Sequence, residues 1–155
     1  MTRIGIISDT HLTRPTSDFK LWTTRYFGDV DMIIHAGDMT EVAVHEFLSS
    51  WNLRAVSGNM DNPDLRAMLP AKRIEEVEGR RIGIVHGKGP AFGVEHLVTG
   101  EFTDADIVVF GHSHIPRWVR KGRVYLVNPG SYRTSKTMGI LELGDDVSFR
   151  FLEVG

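Results

Sequence analysis

The sequence predicts an α/β fold, partly antiparallel. Three observations predict it. Through the first half, short β-branched apolar runs alternate with segments of helical periodicity, the pattern of strand–helix–strand units. In the last third, strand-like runs follow one another without helices between them, as in antiparallel hairpins. Five of the apolar runs end in a short polar cluster, as strands do when their carboxyl ends open into loops.

The elements follow in order. Arg3–Ser8 reads as a buried strand. Thr16-Ser17-Asp18 can cap a helix that runs to about Phe27 and ends near Gly28. Met32–Ala36 is the second strand, and Thr40 is expected to cap a helix over Glu41–Ser50, with Val44, Phe47 and Leu48 on one face. Leu53–Ser57 is the third strand. Asn62–Leu69 reads as a loop or short helix closed by Pro70. Lys72–Val77 and Arg80–Val85 form a hairpin around Glu78-Gly79. Gly89–Gly100 carries a helix, with Pro90 suited to its first turn. Ile107–Phe110, Arg117–Val119, Val124–Val127, Met138–Leu143 and Val147–Val154 are strands, the last two joined by Gly144-Asp145-Asp146.

The polar clusters carry the chemistry: Asp9-x-His11, Gly37-Asp38, Gly58-Asn59-x-Asp61, His86-Gly87 and Gly111-His112-Ser113-His114. If the strand ends converge on one edge, Asp9, His11, Asp38, Asn59, His86, His112 and His114 meet in one place. Two carboxylates, one amide and four imidazoles make a ligand set for divalent metals. A zinc site takes about three or four protein ligands. Seven are too many for one ion and enough for two if a carboxylate bridges them. Two ions about 3.5–4 Å apart form the usual clamp for in-line displacement at phosphorus. Their four positive charges exceed the negative charge of Asp9, Asp38 and a bridging hydroxide, so the site favours an anionic ligand although the chain carries net charge −2. Any one of these polar residues could be a turn former or cap taken alone. Five such clusters at five strand ends argue for a site.

This order of motifs resembles the calcineurin-like metallophosphoesterases. It is most similar to the small phosphodiesterases of the YfcE/MJ0936-like group, a group that also includes the eukaryotic retromer subunit of the same fold. The likeness runs from Ile4 to about Ser131, and Asn128-Pro129-Gly130-Ser131 and a terminal hairpin also fit. It implies a four-layer αββα sandwich of two mixed sheets, the metallo-dependent phosphatase-like fold, filling one domain over residues 1–155. By the same resemblance Asp9, His11 and His114 hold one metal and Asn59, His86 and His112 the other. Asp38 bridges them, and a metal-bridging hydroxide is the nucleophile. Asp61 is expected to orient a neighbouring ligand, as carboxylates fix imidazole tautomers around metals. Asp38, Asn59, Asp61 and His86 are thus the candidate catalytic residues, and Asn59 and Lys88 the candidate substrate-binding ones.

Two positions depart from the family pattern. Many of its phosphomonoesterases place a histidine between the Asn and the acidic residue of the third motif, where it protonates the leaving group. Here that residue is Met60, which has no proton to give. General acid catalysis contributes about 10²–10⁴-fold, so its loss favours diesters or esters with acidic leaving groups. Lys88 stands where relatives often have histidine, and it can meet an anion as a point charge. Arg133 is a further candidate anion contact.

Composition bounds the rest. The chain has no cysteine, which excludes disulfide scaffolds, thiolate zinc sites and cysteine nucleophiles. No run of about 18 apolar residues is present, so no membrane helix is expected. No apolar region of signal-peptide type precedes the first strand, and a cytoplasmic location is expected. No basic footprint marks a partner in bulk nucleic acid. His35, His45 and His96 fall outside the motifs and read as core or surface residues, with His35 closest to the site edge. Trp22, Trp51 and Trp118 read as core or interface residues.

The sequence therefore predicts a phosphohydrolase with two divalent ions. Mn2+ is first choice by resemblance; Ni2+, Fe2+ or Zn2+ also suit mixed O/N ligands. A small phosphate ester is the expected substrate, a diester before a monoester. The alternatives are a phosphomonoesterase acting on a small metabolite or nucleotide, a non-catalytic scaffold like the retromer subunit, and, more weakly, a nuclease. The exposed edge of the terminal hairpin is a candidate contact for a homodimer or homotetramer.

Overall fold

A computed structural model describes residues 1–155. Its elements in chain order are β1 (Thr2–Ile7), α1 (Ser17–Phe27), β2 (Met32–His35), α2 (Val42–Leu48), β3 (Leu53–Ala55), α3 (Pro63–Met68), β4 (Lys72–Val77) and β5 (Arg80–Val85). A 3₁₀ turn at Ala91–Gly93 leads into α4 (Val94–Thr99). Then come β6 (Ile107–Val109), β7 (Arg117–Lys121), β8 (Val124–Asn128), β9 (Thr137–Leu143) and β10 (Val147–Glu153).

The strands form two mixed five-stranded sheets, ordered β10-β9-β1-β2-β3 and β4-β5-β6-β8-β7. In the first, β1, β2 and β3 are parallel, with Ile4 opposite Met32 and Ile33 opposite Leu53. In the second, β5, β6 and β8 are parallel, with Ile82 opposite Ile107 and Ile107 opposite Tyr125. The outer pairs β9–β10, β4–β5 and β7–β8 are antiparallel.

Strand periodicity places the core. Successive side chains point to opposite faces, so Ile4 and Ile6 of β1 enter the space between the sheets. There they pack with Ile34, Leu141, Ile82, Ile84, Ile107 and Val127. The outer face of the first sheet, from Ile7, Ile33 and Ile140, is covered by Phe19, Phe27, Val44, Leu48 and Leu65 of α1, α2 and α3. The outer face of the second, from Val108 and Leu126, is covered by Val94 and Val98 of α4. The result is helix, sheet, sheet, helix, and each fully buried Ile or Phe side chain contributes about 1.5–3 kcal/mol. Gly5 shows how tight one layer is. A Cβ there would lie 2.8 Å from the Phe27 ring, which seats the end of α1 directly on β1.

Two local expectations change. Thr40 does not cap α2. Its φ is +73° and its hydroxyl donates to the Leu12 carbonyl at 2.7 Å, so it ties two loops together while the helix starts at Val42. The helix expected over Gly89–Gly100 divides, because Pro90 starts a 3₁₀ turn and α4 begins only at Val94. Thr16 caps α1 as its sequence implies, accepting the Phe19 N–H at 3.2 Å. Asn62 accepts the Leu65 N–H at 3.0 Å, and Pro63 begins α3, which resolves that segment as a short helix.

Candidate metal centre

The carboxyl ends of the parallel strands in both sheets face one another across a single edge. The Asp9 N–H donates to the Gly37 carbonyl at 3.0 Å, joining the ends of β1 and β2. The Gly111 N–H donates to the His86 carbonyl at 3.0 Å, joining the ends of β5 and β6. The two pairs then interlock. A Cβ on Gly37 would lie 2.7 Å from His86 Nδ1, and one on Gly111 would strike the Ser8 hydroxyl and the Asp9 carboxylate. Glycine before Asp38 and before His112 is therefore a packing requirement as well as a turn signal.

The backbone at this edge is strained. Asp9, His11, Asp38, His112 and His114 all have φ between 45° and 70°. A non-glycine residue in that region costs about 1–2 kcal/mol, and such residues persist where the surroundings fix them, commonly at functional sites. The strain turns these five side chains inward from their loops.

The side chains converge. His11 Nε2 lies 3.5 Å from Asp9 Oδ1 and 3.6 Å from Asp38 Oδ2. His86 Nε2 lies 3.1 Å from Asp38 Oδ2 and 3.8 Å from Asp9 Oδ1. His114 Nε2 lies 3.2 Å from Asp9 Oδ1. Asp9, His11 and His114 form one group able to hold an ion, and Asp9, Asp38 and His86 a second. Atoms bonded to one ion at about 2.0–2.1 Å in tetrahedral array stand about 3.3 Å apart, which is the spacing seen. Asp9 Oδ1, His11 Nε2 and His86 Nε2 are also buried without a hydrogen-bond partner. Buried polar atoms are ordinarily paired, and each of the two groups holds such orphans, Asp9 Oδ1 with His11 Nε2 in one and Asp9 Oδ1 with His86 Nε2 in the other, as cation sites would.

The other atoms of these residues are tied down, which fixes their aim. Asp9 Oδ2 accepts from the Ser8 hydroxyl at 2.6 Å and from the His112 N–H at 3.1 Å. Asp38 Oδ1 accepts the Met60 N–H at 2.8 Å. His86 Nδ1 donates to the Ala36 carbonyl at 2.7 Å, which leaves Nε2 facing Asp38 and Asp9. His112 Nε2 donates to the Gly89 carbonyl at 2.9 Å. His114 Nδ1 pairs with the Thr134 hydroxyl at 3.0 Å.

The electrostatics follow from these contacts. Burial opposes ionisation of Asp9, but the close approach of His11 and His114 outweighs it and holds the carboxyl well below the usual range. Burial likewise opposes ionisation of Asp38, and contact with His86 overrides it. Burial would discharge His86, yet Asp38 and Asp9 raise it above the ordinary imidazole value. His114 is raised chiefly by its bond to Asp9. Buried carboxylates kept ionised beside imidazoles concentrate negative charge at a point that a metal ion would neutralise.

The remaining expected residues lie around this nucleus. His112 is half-buried, its ring centroid 5.2 Å from that of His86. Asn59 and Lys88 are exposed, as is Arg133, which lines a separate hollow with Trp22 and Lys136. Met60 is 59% exposed. Asp61 differs from expectation: it contacts no imidazole. Its Oδ2 accepts the Gly58 N–H and its Oδ1 the Thr40 N–H, each at 2.7 Å. It pins the loop carrying Asn59 against the loop carrying Asp38, so it positions backbone and does not set a tautomer.

Several supports take their roles only from the structure. His35 is completely buried; its Nδ1 accepts the Gly37 N–H at 3.0 Å and its Nε2 lies 3.3 Å from the Thr10 hydroxyl. Ser131 donates to the Asp9 carbonyl at 2.8 Å, and Asn128 donates to the Gly111 carbonyl at 3.2 Å. Ser8 and Thr134 were equally silent, because small hydroxyl residues carry no signature until their partners are known.

The chain is similar to known proteins. Residues 2–146 match the family model described as the calcineurin-like phosphoesterase superfamily domain. A probable metallophosphoesterase of Methanothermobacter thermautotrophicus is 34% identical over 133 residues, covering 83% of this chain and 76% of that protein. The phosphodiesterase MJ0936 of Methanocaldococcus jannaschii is 28% identical over 159 residues, covering 90% of this chain and 92% of its own. The solution structure of the Thermotoga maritima protein TM1076 superposes with a TM-score of 0.74 at 30% identity, covering 99% of both chains.

Proposed function

Since the chain belongs to the calcineurin-like phosphoesterase superfamily, we propose that it is a dinuclear metal-dependent phosphohydrolase acting on phosphodiesters. Asp9, His11 and His114 would hold one ion, and Asn59, His86 and His112 the other. Asp38 would stand between them, since its Oδ2 lies 3.1 Å from His86 and 3.6 Å from His11, ligands of opposite sites. Mn2+ is the first choice for this mixed O/N set, with Ni2+, Fe2+ or Zn2+ as alternatives. Two such ions, when bound, supply a water nucleophile near neutral pH and neutralise charge on the phosphoryl oxygens.

The protein's own groups do the rest. Ser8 and the His112 N–H hold Asp9, the Met60 N–H holds Asp38, and the Ala36 carbonyl holds His86, so the ligands need little reorganisation. Asn59 and Lys88, exposed at the rim, would meet the anionic substrate. Met60, at the same rim, offers no proton to a leaving alkoxide. That favours leaving groups that depart as anions, and phosphodiesters over ordinary monoesters. The similarity to a phosphodiesterase over nine-tenths of both chains supports the same choice.

One observation carries the reading: three buried, unpartnered ligand atoms, on Asp9, His11 and His86, divided between two adjoining groups that share Asp9. The test is hydrolysis of bis(4-nitrophenyl) phosphate and of 4-nitrophenyl phosphate by chelator-stripped protein reloaded with Mn2+, Ni2+, Zn2+ or Mg2+. Metal-dependent cleavage favouring the diester is expected. A preference for the monoester would overturn the role given to Met60. No cleavage with any metal would overturn the enzymatic reading.

A further inference from the structure

Beside the metal centre runs a groove that the proposed chemistry does not use. Phe92, Phe110, Ser113, Ile115, Glu95 and Arg117 line it. The chain ties it to the centre at two places. Ser113 lies between His112 and His114, and its hydroxyl accepts the Ile115 N–H at 3.2 Å. The 3₁₀ turn carrying Phe92 follows Gly89, whose carbonyl accepts from His112 Nε2 at 2.9 Å.

The walls are unusual for a surface with no further role. Phe92 is 91% exposed and Ile115 52% exposed, and only Val94 and Val98 of that segment reach the core. The polar groups present are already engaged. Glu95 Oε1 accepts from Arg117 Nε at 2.6 Å, its other oxygen pairs with Lys121, and Ser113 Oγ also accepts from Asn128 Nδ2. What the groove offers a ligand is therefore mainly an exposed ring and a branched aliphatic side chain. Its volume is about 290 Å³, room for a single ring system and too little for a helix or strand of a partner.

We propose that this groove is a substrate subsite that receives an aromatic or heteroaromatic ring on the departing oxygen of the phosphodiester, stacked on Phe92 and backed by Ile115. The proposal rests on the phosphodiesterase reading. The residue that supports that reading points the same way. Met60 cannot protonate a leaving oxygen, and a phenol-type oxygen ionises near 10 where water ionises near about 16. A ring on the leaving oxygen thus supplies both the stacking surface that Phe92 matches and the acidity that Met60 makes necessary. In the step itself, an oxygen from water bonds to phosphorus as the P–O bond to the ring-bearing group breaks. The electron pair leaves with that oxygen, and the proton lost by water passes to solvent.

The test uses phenylphosphonate and methylphosphonate, which differ by the ring alone, titrated calorimetrically into the Mn2+-loaded protein and its variants. Phenylphosphonate should bind about tenfold more tightly. Phe92→Ala should remove most of that ratio while leaving methylphosphonate affinity unchanged. Ile115→Ala should reduce the ratio by a smaller factor, and Phe92→Trp should keep it. Equal binding of the two probes to the wild-type protein, or an unchanged ratio in Phe92→Ala, would overturn the subsite and leave the phosphohydrolase reading standing. Failure of methylphosphonate itself to bind would overturn both.

Discussion

β2 and β5 each deliver a buried histidine to the same edge of the molecule, and the two behave in opposite ways. His35 is completely enclosed and His86 is 3% exposed, so burial does not separate them. Their hydrogen bonds do. His35 spends both nitrogens, on the Gly37 N–H and the Thr10 hydroxyl. His86 spends only Nδ1, on the Ala36 carbonyl, and leaves Nε2 against Asp38 and Asp9. Burial pushes His35 down to about 3, and the attraction of Asp9 does not reverse it. At His86 burial pushes the same way, yet contact with Asp38 reverses the shift. A buried imidazole becomes a candidate ligand when one nitrogen is anchored and the other is left facing carboxylates. When both are anchored it is a strut, and His35 braces the loops that carry Asp9 and Asp38.

The largest way to break this contrast is to remove the charge that distinguishes the two sites. Asp38→Asn should lower Mn2+-dependent diester hydrolysis by at least about a hundredfold, because even indirect supports of a metal site cost about 10–100-fold. Circular dichroism should show the fold intact. An unchanged rate would remove Asp38 from the mechanism.

The next effect compares the histidines directly. His86→Asn should weaken Mn2+ binding by more than about a hundredfold, and His35→Asn by about tenfold. In urea denaturation His35→Asn should cost about 1–3 kcal/mol, since it strands the buried partners of the imidazole. Equal losses of metal affinity in the two variants would erase the distinction between ligand and strut.

The two residues also pull the pH dependence of stability in opposite directions. Between about pH 3 and 6.5 the unfolded chain protonates His35 and the folded one does not, so this residue makes stability fall as pH falls. His86 and His114 have raised values; their contribution is full below about 6.5 and is lost as pH rises through their folded values. Asp9 and Asp38 have lowered values; theirs is full above about 4 and is lost as pH falls. Chelator-treated protein should therefore be most stable in mildly acidic solution, and His86→Asn should flatten the alkaline side of the profile. Urea midpoints measured across pH 4–9 would show it, and a maximum above pH 8 would contradict it.

The smallest expected effect sharpens the role of Asp61. Asp61→Asn replaces a charged acceptor of two backbone N–H groups by a neutral one and should cost about 1–2 kcal/mol. A much larger fall in turnover than in stability would mean that Asp61 acts on the reaction and not on the loop.

Much of this was legible in the sequence because strand ends announce themselves. Each of the five polar clusters follows an apolar run, and the parallel order of β1, β2 and β3, and of β5, β6 and β8, carries those ends to one edge. His35 was hidden by the same logic: it sits inside an apolar run and looks like core until Thr10, 25 residues away, is placed beside it. Ser131 and Thr134 act on Asp9 and His114 from 122 and 20 residues away, and no local spacing encodes that. Thr40 misled because its neighbours suit an N-cap, yet its hydroxyl found the Leu12 carbonyl across the site. The left-handed backbone of Asp9, His11, Asp38, His112 and His114 was equally invisible, since only tertiary contacts sustain it.

The central claim is that these converging atoms form a paired metal site. Its most direct test is the stoichiometry of Mn2+ bound to chelator-stripped protein, read by calorimetry and checked by elemental analysis after gel filtration. Two ions per chain are predicted for the wild-type protein. One ion, or none, would contradict it.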